Sequence, residues 1–135
     1  MKLIAHLNFN GQCAEAFRFY EKCLDGKIRM IMTWGESPMA AQTPKESHDH
    51  VMHATLEIGD QVLMGADSGE HYRKPQGFAM AININDPAEA DRIFAALAEG
   101  GDVQMPMQAT FWALRFGMAT DRFGTPWMIN CGNPA

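Results

Sequence analysis

Alternation of apolar and polar residues near the C-terminal end of the chain predicts two antiparallel strands joined by a short turn. The first strand covers residues 115–121, Asp121-Arg-Phe-Gly124 forms the turn, and Pro126 begins the second strand. Side chains two residues apart on a strand share a face. The apolar set, which should pack on a helix, is Trp127, Ile129 and Cys131. The opposite set is Met128 and Asn130.

The same alternation recurs in the first half of the chain. Residues 2–9 predict a half-buried strand with His6 and Asn8 on one face. The apolar face of that strand is Leu3, Ala5, Leu7 and Phe9. Residues 27–34 are β-prone, and residues 53–67 read as a strand, a glycine-containing turn and a second strand.

Two stretches carry the apolar spacing of a helix. The first covers residues 13–24, with Asn10 as a possible cap and Gly26 placed to end the helix in a left-handed conformation. The second begins at Asp86-Pro87, an N-cap followed by proline at the first helical position, and ends at Gly100. Each half of the chain therefore contains one amphipathic helix.

Strands predicted over 78–85 and 103–109 complete the second half; Pro106 places the latter at a sheet edge or in a bulge. Both halves then read as strand, helix, strand, strand, strand, over about 1–67 and 77–131. One helix cannot cover a core alone, so the halves should combine into a single α+β domain.

Composition narrows the classes of function. The chain has 135 residues, 47% of them hydrophobic, and a net charge of -5. Binding to nucleic acid or to an anionic membrane needs a basic face, and no apolar run is long enough to cross a bilayer. The three cysteines read as buried reduced thiols, and the N-terminus lacks the pattern of a signal peptide. We expect a cytoplasmic protein.

Three stretches of the chain resemble the PhnB-like branch of the vicinal oxygen chelate superfamily, which includes glyoxalase I, extradiol dioxygenases, fosfomycin-resistance enzymes and bleomycin-binding proteins. They are Leu7-Asn-Phe-Asn-Gly…Glu15-Ala-Phe-Arg-Phe-Tyr20, Met52-His-Ala-Thr-Leu-Glu-Ile-Gly-Asp60 and Phe111-Trp…Arg115-Phe-Gly…Asp121-Arg-Phe-Gly…Trp127. Ala113 stands where this branch usually has glycine. The resemblance implies paired βαβββ modules forming a curved mixed-sheet cup (the glyoxalase/bleomycin resistance-like fold) and a homodimer.

The resemblance also bears on metal binding, because metal enzymes of the superfamily carry ligands at four strand positions lining the cup. Aligned on strand order, these positions are His6, Met64, Phe78 and Met128. Only His6 is a competent ligand for a hard divalent ion, which needs about three nitrogen or oxygen donors. We therefore predict no metal at the inherited site.

A histidine-rich segment, His48-Asp-His-Val-Met-His53, is the other metal-like cluster, although it also fits a solvated loop end followed by one pocket or core histidine. Strand parity puts His53, Thr55 and Glu57 on the face of the cup. A His53–Glu57 pair in an enclosed site could perform acid–base catalysis. The alternative is a structural ion pair that satisfies buried polar groups.

We expect the chain to bind a small, partly apolar molecule in the cup, without a cofactor. The candidate lining residues are His6, Asn8, Thr55, Met64, Phe78, Trp112, Met128 and Asn130. Residues 35–50 should form a mobile flap. One alternative is a lyase, isomerase or dioxygenase of the glyoxalase type that uses a divalent metal. A weaker alternative is the demethylubiquinone methyltransferase-like activity with which the branch has been labelled, although no glycine-rich strand-to-helix loop supports it.

Overall fold

The structure, a computed structural model, describes residues 1–132 and divides them into two compact units, Met1–Arg73 and the part from Lys74 onward. Each unit contains one βαβββ module. The elements of the first are β1 (His6–Phe9), α1 (Cys13–Cys23), β2 (Lys27–Thr33), β3 (Val51–Ile58) and β4 (Gln61–Asp67). Those of the second are β5 (Met80–Ile84), α2 (Pro87–Ala98), β6 (Asp102–Gln108), β7 (Arg115–Thr120) and β8 (Pro126–Cys131).

The two sheets have the same topology. The first has the strand order β1-β4-β3-β2 and the second has β5-β8-β7-β6. In both, the first and fourth strands of the module pair in parallel, whereas the other pairs are antiparallel. The predicted α+β class and the repeated order of elements are confirmed. The single domain and the closed cup stay predictions.

The apolar stripe of α1 packs on one face of the first sheet. Its Phe17 and Tyr20 are fully buried, and the Phe17 ring meets that of Phe9 edge to face at 6.2 Å between centroids. Gly65 makes room for this packing, since a Cβ there would lie 2.7 Å from the Phe17 ring. The helix therefore covers one face of this sheet and does not contact the opposite face.

The start of α1 is held by a residue distant in sequence and not by Asn10. Asp67, at the end of β4, accepts hydrogen bonds through Oδ1 from the backbone N–H groups of Gly11 at 2.8 Å and Cys13 at 3.0 Å. Its Oδ2 accepts a third from Val51 N–H at 2.8 Å. One buried carboxylate thus satisfies donors at the helix N-terminus, where backbone N–H groups lack helical partners, and at the start of β3.

The end of α1 also differs from its prediction. Asp25, with φ 50, takes the left-handed conformation expected of Gly26. Gly26 instead permits close approach of two backbones, because a Cβ there would lie 2.8 Å from the carbonyl oxygen of Glu57. Gly100 and Gly101 repeat this arrangement after α2, with φ 76 at Gly100 and a close approach at Gly101.

Helix α2 begins as predicted. The Asp86 side chain caps it by accepting a hydrogen bond from Ala88 N–H at 3.0 Å, and Pro87 occupies the first position. Strand β6 lies at a sheet edge with irregular register on both sides of Met105, in agreement with the prediction from Pro106. These features are encoded by neighbouring residues, so they can be read from the sequence.

Two strand predictions were too long. Strand β1 begins at His6, and Leu3 is fully exposed, so Leu7 and Phe9 alone supply the buried face of this strand. Strand β5 begins at Met80, which leaves Phe78 before the strand with 51% of its surface exposed. Leu3 and Phe78 are apolar but lie outside the strands that were predicted to contain them, and both are exposed.

The connection between β2 and β3, residues 34–50, contains three short 3₁₀ turns. Thr33 and Glu36 form a reciprocal capping box at its start, and Gly35 N–H donates to the carbonyl oxygen of His48 at 2.9 Å. The His48 Nε2 lies within hydrogen-bonding distance of the carbonyl oxygens of Ala40 and Thr43. Local hydrogen bonds therefore give this connection a defined path; its role as a flap stays a prediction.

Candidate functional site

The face of the first sheet turned away from α1 gathers most of the polar residues predicted for the site. Met64 is the register partner of His6 on one side and of Thr55 on the other. His53 and Glu57 share the face of Thr55 because they lie two residues away on the same strand. Both are half-buried, whereas the residues between them, Ala54 and Leu56, are fully buried against the helix side.

Two methionines that the sequence did not assign to the site complete this face. Met30 pairs with Thr55 and Met32 pairs with His53, so both side chains share the face of their partners. A register shift between Ile28 and Met30 interrupts the alternation along β2. The alternation of apolar and polar residues that identified β3 is therefore interrupted in β2. The face on which Met30 and Met32 lie follows from their pairing with β3.

Hydrogen bonding on this face differs from the predicted His53–Glu57 pair. The Nε2 of His53 lies 3.1 Å from the Thr55 hydroxyl oxygen. Glu57 instead forms an ion pair with Arg29 of the edge strand, with 3.2 Å between Oε2 and Nε. Glu57 is therefore paired with Arg29 and not with His53 in this structure, and both members of this ion pair are partly exposed. An acid–base role for His53 and Glu57 stays a prediction.

The corresponding face of the second sheet is more apolar. Met128 pairs with Met118, and Asn130 pairs with Phe116. The Trp112 ring lies 5.2 Å from that of Phe116, edge to face, and is 42% exposed. Three of the predicted lining residues, Trp112, Met128 and Asn130, thus fall around one short stretch of β7, and Phe116 and Met118 join them.

The four positions aligned with the superfamily's metal ligands require one correction. Ala81, not Phe78, pairs with Met128 in the way that His6 pairs with Met64. The four residues are therefore His6, Met64, Ala81 and Met128, which offer one imidazole, two thioethers and a methyl group. This donor set does not fit a hard divalent ion, which prefers oxygen and nitrogen ligands.

The histidine-rich segment does not form a metal cluster. His48 ends the third 3₁₀ turn and is held by two carbonyl oxygens, whereas strand β3 starts only at Val51. Across residues 1–132, no group of three or more His, Cys, Asp or Glu side chains could hold a metal ion. In the same part of the chain, no helix is long and apolar enough to span a membrane.

A cavity of about 290 Å³ lies elsewhere in the first module, between the 34–50 connection and the end of β4. Trp34, Ser47, His50 and Ser68 are among its lining residues. The Ser68 hydroxyl oxygen is buried and has no hydrogen-bond partner among the described residues. None of the lining residues predicted from the sequence is among the residues that border this cavity.

The three cysteines are buried and form no disulfide bond within residues 1–132, as predicted. Burial, together with the nearby negative charge of Asp67, raises the pKa of the Cys13 thiol to about 12. The thiolate is the reactive form of cysteine, so Cys13 is chemically inert at neutral pH. It belongs to the core and not to a catalytic site.

Comparison with known proteins agrees with this architecture. Residues 1–130 match the family described as 3-demethylubiquinone-9 3-methyltransferase. The chain belongs to this family. Protein YjdN of Escherichia coli strain K12 is 32% identical over 96% of this chain and 95% of its own length.

Solved structures similar to this chain include a PhnB protein, which agrees with the PhnB-like resemblance. Protein PA1353 from Pseudomonas aeruginosa is 43% identical, with a TM-score of 0.88 and 99% of each chain covered. A putative 3-demethylubiquinone-9 3-methyltransferase, PhnB protein, from Bacillus cereus is 25% identical, with a TM-score of 0.82 and coverage of 98% and 100%. The FosX protein of Listeria monocytogenes, 11% identical with a TM-score of 0.69 and coverage of 98% and 93%, shares the fold.

Proposed function

We propose that this PhnB-like chain binds a small, partly apolar molecule on the face of the first sheet opposite α1. The observation that carries the proposal is the mixture on this face: hydrogen-bonding groups of His53 and Thr55 lie among the methionines of β2 and β4. Apolar surroundings with a few placed polar groups are the usual composition of a small-ligand site. Flexible thioether side chains adapt to ligands of irregular shape.

The test is native mass spectrometry of gently purified protein, followed by calorimetric titration with the molecule found. Thr55→Val and His53→Gln should each weaken binding by about tenfold, the cost of roughly one net hydrogen bond. Ser68→Ala is the matched control, because Ser68 borders the separate cavity. If Ser68→Ala weakens binding and Thr55→Val does not, the ligand occupies the cavity and the proposed face is wrong.

Two enzymatic alternatives receive less support. A metal-dependent lyase, isomerase or dioxygenase would need hard ligands, and the positions His6, Met64, Ala81 and Met128 do not supply them. Methyl transfer is suggested by the family's name alone. Elemental analysis of the purified protein separates these possibilities: stoichiometric nickel, manganese, zinc or iron, with an activity lost on chelation, would favour the enzyme.

We further propose that the chain acts as a cytoplasmic homodimer. Exposed apolar side chains on the β6–β7 connection support self-association: Phe111 is 90% exposed, and Trp112 and Leu114 are each 42% exposed. Specific interfaces usually bury more than about 1,000 Å². Sedimentation at micromolar concentration should give a dimer, and Phe111→Ser should shift it toward monomer. A monomeric wild-type chain would contradict this proposal.

A further inference from the structure

Met64, whose thioether does not fit a hard metal ion, shares its sheet face with Met30 and His53, and these three side chains form a soft donor set. Thioether sulfur selects monovalent copper, and imidazole nitrogen also binds copper well. Met30 and Met64 are register partners of Thr55 on its two sides, so all three side chains lie on one face. Cβ atoms of directly opposed residues lie about 4.5–5.5 Å apart, so both sulfur atoms can reach the space above Thr55.

His53 directs a nitrogen into the same space. Its Nε2 lies 3.1 Å from the Thr55 hydroxyl oxygen, so the imidazole leans along β3 toward the position between the two methionines. When the hydroxyl donates this hydrogen bond, the Nε2 lone pair is the acceptor, and a metal can bind that lone pair by displacing the hydroxyl. All three candidate donors are partly accessible, with 39% of Met30 exposed and His53 and Met64 half-buried.

We propose that this face binds one monovalent copper ion through the sulfur atoms of Met30 and Met64 and the Nε2 of His53, the ion displacing the Thr55 hydroxyl from that nitrogen. The same three donors accept Ag(I), which is also soft and monovalent. The proposal shares a face with the small-molecule site but does not depend on a small molecule being bound. The metal alone is therefore the probe, and the two proposals can fail separately.

The first experiment is an anaerobic titration of the whole chain, labelled with methyl-¹³C methionine, with Ag(I) as a redox-inert probe. The methyl signals of Met30 and Met64 should shift until one equivalent has been added. Met39, on the 34–50 connection and 48% exposed, serves as an internal reference. Binding of Ag(I) to the buried cysteines, or to the Met118–Met128 pair of the second module, would leave Met30 and Met64 unmoved and would overturn the proposal.

The second experiment measures Cu(I) affinity by competition with a chromophoric chelator. Met64→Leu and Met30→Leu keep side-chain volume and should remain folded. Each should weaken Cu(I) binding by at least about 100-fold, because loss of a direct ligand costs more than loss of an outer-shell partner, which already costs up to about 100-fold. Met39→Leu is the matched control and should bind like the wild type. Unchanged affinity in both Met30→Leu and Met64→Leu, or tighter binding of Zn²⁺ than of Cu(I), would contradict the assignment.

Discussion

The two modules share their strand order and pairing but differ in what they add to that framework. The first joins its second and third strands through residues 34–50, with three 3₁₀ turns, whereas the second uses the short connection 109–114. The open sheet face of the first also carries His53 and Thr55, where the second has Phe116 and Met118. The two sheets thus share one topology, but His53 and Thr55 of the first occupy the positions that Phe116 and Met118 occupy in the second.

A second contrast concerns the buried aspartates. Asp67 joins segments far apart in sequence, since its partners are at Gly11, Cys13 and Val51. Asp121 acts over a short range: it accepts from the backbone N–H groups of Phe123 and Thr125 and from the Trp127 indole. The first module is therefore tied together by a long-range carboxylate and the second by a local one.

The largest effect should come from Asp67→Asn. The amide can accept with one atom only, so buried donors lose their partner, and we expect a loss of about 3 kcal/mol in the free energy of unfolding. Asp121→Asn should cost about 2 kcal/mol, because its turn keeps the backbone bonds between Asp121 and Thr125. Urea denaturation of both variants measures the difference. Equal losses would show that the range of the contacts is unimportant.

A smaller effect is expected where glycine lies beneath a helix. A Cβ at Gly65 would lie 2.7 Å from the Phe17 ring and 3.0 Å from the carbonyl oxygen of Leu7. At Gly117 the nearest atom, also at 2.7 Å, is the sulfur of Met107. The Phe94 ring and the Met105 carbonyl oxygen lie farther from this Cβ, at 2.9 and 3.2 Å, and a methionine end can move. Gly65→Ala should therefore cost about 2–3 kcal/mol and Gly117→Ala about 1–2 kcal/mol. Thermal unfolding that ranks the two variants in reverse would contradict this packing argument.

Alkaline pH should weaken the first module through Cys13. The folded thiol keeps its proton to about pH 12, whereas an unperturbed thiol loses it near 9.0. Unfolding therefore releases a proton above pH 9, and the free energy of unfolding should fall by about 1.4 kcal/mol in total between pH 8 and pH 10 relative to Cys13→Ala. The measurement is the difference between the two proteins in denaturant midpoints from pH 8 to 10. Parallel pH profiles would show that the thiol is not protected by burial.

The smallest effects should come from the threonines that begin the two connections. Thr33 caps the first 3₁₀ turn, and Thr110 accepts hydrogen bonds from the N–H groups of Trp112 and Ala113. Thr33→Ala and Thr110→Ala should each change global stability by less than about 1 kcal/mol. Hydrogen exchange should accelerate across 34–50 in the first variant and only at 112–113 in the second. If acceleration in Thr33→Ala stops at Glu36, the turns of the longer connection are independent.

The same contrast explains what the sequence could predict. The start of α2 was predicted correctly because Asp86 and Pro87 are adjacent to the helix that they begin. The polar face of β3 was predicted because alternation holds over residues 53–57, with Ala54 and Leu56 buried. In both cases the information lies within a few residues of the feature.

The errors arose where distant strands decide the outcome. The Arg29–Glu57 ion pair and the facing of Met30 and Met32 depend on a bulged register between β2 and β3. Recognising Ala81, and not Phe78, as the partner of Met128 would have required the register of β5 against β8, which no local pattern encodes. Pairing between segments distant in the chain is set by tertiary packing, so the sequence of either segment alone does not contain it.

The hydrogen bonds of Asp67 also bear on when the first module can fold during its synthesis. During synthesis, α1 emerges from the ribosome before the aspartate that caps its first turn, which lies 54 residues beyond Cys13. An isolated helix this short is marginal in water. The nascent first module should therefore stay unstructured until β4 has been translated, and then acquire its helix, the start of β3 and the end of β4 in a single cooperative step.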